Sequence, residues 1–253
     1  MFDPTWIKNF SDALLPFSSY SPINLDALIK PLEYFVERIK ALNLPQFWSE
    51  VGTKLGERGW VLSSRRFTLD NIMSLIELLD AADYVKFNDE LVEYYTKYID
   101  EIVQGIQCST VDSYHKKALY ESVTAFKQGL FHPAFTSLTA IIEGVLVDAT
   151  PTLRKGQTNL DKRIEDLEAS LSSDKTTKAI DFMNISAMKK IMETFAESLC
   201  FGKEEPQNCN RHWLLHGRTR RQLEEKEYYQ LLSFLEGLIE LAFDEAEAIS
   251  FTG

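Results

Sequence analysis

Apolar residues recur at three- and four-residue intervals along almost the whole chain, which is the spacing of amphipathic helices. Asn24 can cap a helix running from about Leu25 to Leu42, with Leu28, Leu32, Phe35 and Ile39 on one face. Pro45 restarts the chain into a short helix ending near Gly56. Thr68 or Asp70 can cap the next, which carries Ile72, Leu75, Ile76 and Leu79. Asn88 can start another, through Leu91, Tyr95, Tyr98, Ile99 and Ile102. The pattern then repeats. Leu119, Val123 and Phe126 share a face of a helix from about Tyr114 to Gly129. His132-Pro133 opens a further one through Phe135, Leu138, Ile142, Val145 and Leu146, which stops before Pro151. Leu160, Ile164, Leu167 and Leu171 mark a short helix, preceded by the polar stretch Thr152–Thr158. Ser173 or Asp174 precedes a longer one with Met183, Met188, Met192, Phe195 and Leu199. After a polar loop from Gly202 to Cys209, a last helix from about Gln222 to Ile249 shows Leu231, Leu235, Leu238 and Ala242.

Strand-like alternation is confined to Trp60–Leu62. The chain therefore reads as all-α, an antiparallel helical bundle. Gly105 to Ser113 is the natural boundary. It divides a helical N-terminal region, residues 1–105 (arm, lid or sensor), from a bundle over residues 106–253. Residues 1–23, rich in aromatics and proline, read as an irregular arm.

Composition narrows the function classes. The 27 Lys+Arg and 38 Asp+Glu leave a net charge of −11, which argues against broad electrostatic binding of nucleic acid. Cys108, Cys200 and Cys209 are odd in number and widely spaced, so they read as free thiols in a reducing compartment. No run approaches the roughly 18 apolar residues of a membrane span, and Met1-Phe2-Asp3-Pro4 does not open a signal peptide. The expected location is cytoplasmic.

Against this acidic background stands Arg211-His212-Trp213-Leu214-Leu215-His216-Gly217-Arg218-Thr219-Arg220-Arg221. The stretch holds four arginines and two histidines with no acid among them. Arginine suits phosphate oxygens, and histidine moves protons near neutral pH. Asn210 is a good N-cap for a short helix through Leu215, and Gly217 a good terminator. Trp213, Leu214 and Leu215 are expected to anchor it in the core. His212 and His216, four residues apart, share a helix face. Arg211 and His216 stand about 140° apart around a helix at 100° per residue. The plain alternative is a helix-end pair that caps carbonyls or bridges to a glutamate. Arg218, Arg220 and Arg221 can likewise form a solvated loop paired with Glu224 and Glu225. Glu143, among Ile141, Ile142, Val145 and Leu146, is either a helix-face carboxylate bonded to a neighbour or a group that orients Arg211 or His216. His132 reads as a loop histidine and His115 as exposed. Metal-ligand spacing, a P-loop and a Gly-x-Ser-x-Gly elbow are all missing, so no metal and no cofactor is expected.

Arg211 and His216, with four intervening residues, match the Arg-x4-6-His motif of the HEPN superfamily, and Asn210-Arg211-His212-x-x-Leu215-His216-Gly217 resembles one bacterial branch of it. Ala118-x10-Gly129-Leu130-Phe131-x2-Ala134, followed by Ile141-Ile142-Glu143-Gly144, is similar to the paired central helices of that fold. Arg58-Gly59-Trp60-Val61 resembles a lead-in of the same branch. The likeness covers residues 114–250 well and residues 1–105 loosely. It implies a helical bundle, a homodimer in which two motifs face each other, and a metal-independent endoribonuclease of phage defence or a toxin system. RNA is the implied substrate, and an antitoxin or defence-system protein a possible partner; no membrane is implied. His216 would be the general base or acid and Arg211 would steady the phosphate. His212 and Asn210 would be supporting donors, and Arg218, Arg220 and Arg221 would position the RNA backbone. Products would carry 2′,3′-cyclic phosphate and 5′-OH ends. Other members have lost catalysis and act as interaction or sensor modules, which is the alternative for this chain.

Overall fold

A computed structural model describes residues 44–151, 160–173, 179–197 and 204–243. The expected arm over residues 1–23, the helix from Leu25 to Leu42, the stretch Thr152–Thr158, and Leu199, Cys200, Gly202 and Ile249 lie outside the described residues. Among the described residues the chain is all-α, with no strand. The helices are α1 (Leu44–Glu57), α2 (Leu69–Asp80), α3 (Tyr84–Cys108), α4 (Ser113–Lys127), α5 (Phe131–Ala149), α6 (Leu160–Ser173), α7 (Ala179–Phe195), α8 (Arg211–Leu215) and α9 (Glu225–Phe243).

The helix ends follow local hydrogen-bond chemistry. Thr68 caps α2 in a capping box: its hydroxyl accepts from Asn71 N at 3.3 Å, and the Asn71 side chain accepts from Thr68 N at 3.1 Å. Asp83 accepts from Lys86 N at 3.2 Å, so α3 begins at Tyr84 and not at Asn88. Asn88 lies one turn inside, donating to Tyr84 O at 2.8 Å and accepting from Trp60 Nε1 at 2.9 Å. An asparagine with a tertiary partner looks like a cap in sequence. His132 and Pro133 fall in the first turn of α5, where proline costs no intrahelical bond. His132 is thus an exposed helical residue and not a loop one. At the other end of α5, the buried Arg163 of α6 donates to Thr150 Oγ1 at 2.7 Å, a cation set against a helix C-terminus.

Helices on both sides of Gly105 share one core. The α9 helix packs on α5, α3 and α7, while α4 packs on α5, α2 on α3, and α6 on both α5 and α7. Such surroundings explain why α9 is buried nearly all round from Glu227 to Ile239, where sequence spacing suggests one apolar face. The strand-like Trp60-Val61-Leu62 is a fully buried connector on α9, and Val61 N donates to Ser233 Oγ at 3.3 Å. Trp60 N donates to Leu55 O at 3.1 Å, so the stretch is tied to α1 and to a side chain of α9 and not to a neighbouring strand. Beside it Glu236, buried on α9, holds Arg66; burial pushes the Glu236 carboxyl up, while the guanidinium pulls it down. No helix of the described residues is long and apolar enough to cross a membrane.

Among the described residues α1 packs most extensively on α7. Gly52 and Gly56, one turn apart, lie against the backbone of Met183 and Ala187. A methyl group at Gly52 would collide with Met183 O and Met183 C, which are backbone atoms that cannot step aside. Gly52→Ala is therefore expected to lower stability by about 1–3 kcal/mol through overpacking. A urea midpoint that falls at unchanged slope checks this; an unchanged midpoint would mean the helices separate at no cost.

Candidate active site

The Arg211–Arg221 segment is built around one buried amide. Asn210 accepts from His212 N at 3.1 Å and Trp213 N at 3.2 Å, and donates to Thr194 O and Glu197 O, both at 2.9 Å. It thus caps α8 and ties it to the C-terminal end of α7 in one step. Five residues later the helix stops in a Schellman turn. Arg218 N donates to Trp213 O at 2.8 Å and Gly217 N to Leu214 O at 3.1 Å, with Gly217 at φ +62°. The expected cap and terminator are both in place. Trp213 and Leu214 are buried, and α8 docks on α5. Leu215 was expected to anchor the segment too, but is 36% exposed. A single helical turn cannot aim three consecutive side chains at one surface.

Docking brings Arg211 to Glu143 of α5, and the guanidinium Nη1 donates to the carboxylate. Glu143 is therefore bonded to a neighbouring helix, and the residue it meets there is Arg211. Arg211 Nε finds no hydrogen-bond partner among the described residues. Burial pushes the Arg211 pKa down, though an arginine so placed remains charged at neutral pH.

His216 sits at the C-cap of α8, exposed to solvent. Its ring meets the edge of His212, with centroids 4.5 Å apart and planes at 70°. His212 is half-buried. Burial, His216 and Arg211 all push its pKa below the ordinary histidine value. So His212 stands between the other two in its electrostatics: both His216 and Arg211 act on it. That push favours its neutral form. The sign can be checked by proton NMR: His212 is expected to titrate below about 6.5 and to move up in His216→Gln, which removes one repelling neighbour. A titration above that value would remove it as a neutral base. Because folding lowers this pKa, the associated stability is present above about 6.5 and fades as pH falls.

The three remaining arginines part company. Arg218 and Arg220 are exposed. The Glu205 carboxylate grips the loop by accepting from Arg220 N at 3.0 Å and Arg221 N at 3.2 Å. Arg221 turns inward and binds Glu227 through two bonds of 2.8 and 2.6 Å. Neither Glu224 nor Glu225 is its partner. Arg221 thereby serves the loop, as does Asn210, whose amide is bonded to α7 and α8. Cys209 lies beside Arg221, with Nη2 3.9 Å from Sγ. Burial and then Glu227 push the thiol up, so it stays protonated. Among the described residues Cys108 and Cys209 are free thiols, and no group of three His, Cys, Asp or Glu is placed to hold a metal ion.

Two features were not read from sequence. His115 was expected to be exposed, but only 13% of its side chain is, and Nε2 lies 3.0 Å from Asp148 Oδ2. Its ring rests on Gly144, where any Cβ would strike it. A glycine in the middle of an apolar helix was the available signal. Behind the loop lies a polar cleft of about 570 Å³ between α1, α7 and α9, with Arg58, Lys190, Cys209, Arg221 and Glu227 in its wall. No protein-family model, no curated protein and no solved structure matches the chain.

Proposed function

We propose that this chain is a metal-independent endoribonuclease of HEPN type, acting as a homodimer in phage defence or a toxin system. The observation that carries the reading is the capped one-turn helix α8, which holds Arg211 against α5 and leaves His216 exposed beside His212. An arginine, a neutral imidazole and a second imidazole are the groups that RNA transesterification needs. One histidine takes the proton from a ribose 2′-OH, and the 2′-oxygen attacks the adjacent phosphorus. Arg211 steadies the charge that develops on the non-bridging oxygens. The bond to the 5′-oxygen breaks, and the other histidine returns a proton to that oxygen. The products are a 2′,3′-cyclic phosphate and a 5′-OH. His212, with its pKa pushed down, is the imidazole available in neutral form to take the proton, and His216 beside it is assigned the other role. A second motif from a partner subunit would double the local positive charge, and an antitoxin or defence-system protein would restrain the activity.

A second reading has its own observation. Glu143 already neutralises Arg211, so a phosphate must compete for the guanidinium. In a non-catalytic interaction or sensor module that pair would be purely structural. The two readings separate on the purified full chain, incubated with RNA oligonucleotides in EDTA. Fragments ending in cyclic phosphate support the nuclease. Intact RNA, or cleavage that EDTA abolishes, overturns it.

A further inference from the structure

The α5 helix meets α8 and α4 at consecutive residues. Arg211 of α8 binds Glu143, and His115 of α4 lies on Gly144. With Glu143 as origin and 100° per residue, Gly144 lies at about 100°, Val147 at about 40°, Ala140 at about 60° and Pro133 at about 80°. Pro133, Ala140 and Val147, small and uncharged, are exposed on this strip of α5 between the residues that Arg211 and His115 meet. Arg211 thus flanks the strip on one side and His115, held by Asp148, on the other. Next to His115 stands Tyr114, 72% exposed, its ring 5.7 Å from that of His115 and inclined at 70°. Arg218 and Arg220, which follow Arg211 in the chain, are exposed.

A guanidinium on one flank of an uncharged strip and an exposed aromatic ring beside the other flank match the two needs of a nucleotide strand. Phosphates take the guanidinium edge and a base takes the ring face. We propose that Tyr114 is the base-stacking residue of this site: a nucleobase neighbouring the phosphate held at Arg211 lies on its ring. The substrate class is thereby single-stranded or looped RNA, because a base stacked inside an A-form duplex cannot reach a side chain. The inference rests on the nuclease reading and adds the substrate's form and a positioning residue that does no proton transfer.

The test uses the full chain carrying His216→Ala, so that RNA persists, and a fluorescein-labelled single-stranded RNA followed by anisotropy. Tyr114→Ala is expected to weaken binding about tenfold, within the range found when a stacking aromatic is removed. Tyr114→Phe should hold it within about twofold, because the ring face remains. Tyr120→Ala is the control: Tyr120 is 64% exposed on the same helix but about 120° around it. Its loss should change nothing. Duplex RNA of the same sequence should bind no differently with and without Tyr114. The inference is overturned if Tyr114→Ala binds as tightly as its parent, if Tyr120→Ala weakens binding equally, or if Tyr114→Ala turns a dimer into a monomer in sedimentation. The last result would make the ring an interface residue. Cleavage by the otherwise unaltered chain reads the parent hypothesis separately. Arg211-dependent cutting with a Tyr114 variant of full affinity sinks this inference alone; no cutting and no binding sinks both.

Discussion

Replacing His216 by alanine is expected to lower RNA cleavage by about 10²–10⁴-fold, the usual contribution of a positioned general acid or base. The side chain is exposed at a helix C-cap, so its removal leaves no buried hole and the thermal midpoint should not move. That separation of activity from stability makes the substitution informative. On the nuclease reading Arg211→Ala should cost comparable activity, since it removes the guanidinium proposed to steady the phosphate. It also strips Glu143 of its partner, so stability should fall with it. Arg211→Lys keeps the charge but loses the planar fork and should recover little. Single-turnover cleavage with product-end analysis is the measurement. If both alanine variants cut at the parental rate, the motif is not the active site, whatever else the protein does.

The second large effect lies one residue upstream. Asn210→Ala is expected to destabilise the protein by about 1.5–5 kcal/mol. The cap to His212 N and Trp213 N contributes about 0.5–2 kcal/mol, and the carbonyls of Thr194 and Glu197 lose donors worth about 0.5–1.5 kcal/mol each. Urea unfolding at constant slope measures the sum. Asn210→Asp separates the two halves. It keeps the acceptor that caps α8 but turns a carboxylate on the two carbonyl oxygens, so most of the loss should remain. Cleavage should fall as well, because Asn210 is what holds Arg211 and His212 at the end of α7. An Asn210→Ala variant of parental stability would show that the short helix stands without that tie.

Much of the fold was legible because helices announce themselves locally. The spacings of Leu91, Tyr95 and Ile99, and of Leu160, Ile164 and Leu167, were enough to place α3 and α6, and Thr68, one of the two caps the sequence offered, begins α2. The errors arose where a residue answers to something far along the chain. Asn88 resembles a cap but serves Trp60, and Trp60-Val61-Leu62 alternates like a strand but fills the face of α9. Around the candidate site the same division holds. Asn210 and Gly217 were readable as cap and terminator, because each acts through bonds to its own next few residues. The fate of each arginine was not readable.

The sequence alone determined an all-α chain, the extent of the short helix α8, and the concentration of arginine and histidine on and after it. Those properties depend on periodicity and on hydrogen bonds closed within a few residues. Tertiary structure decided that Arg211 meets Glu143 across 68 positions, that Arg221 turns to Glu227, and that His115 lies over Gly144 with Asp148 at its Nε2. A charged side chain takes whichever partner packing delivers to it, and packing is set by the helices together, which no short stretch of chain encodes.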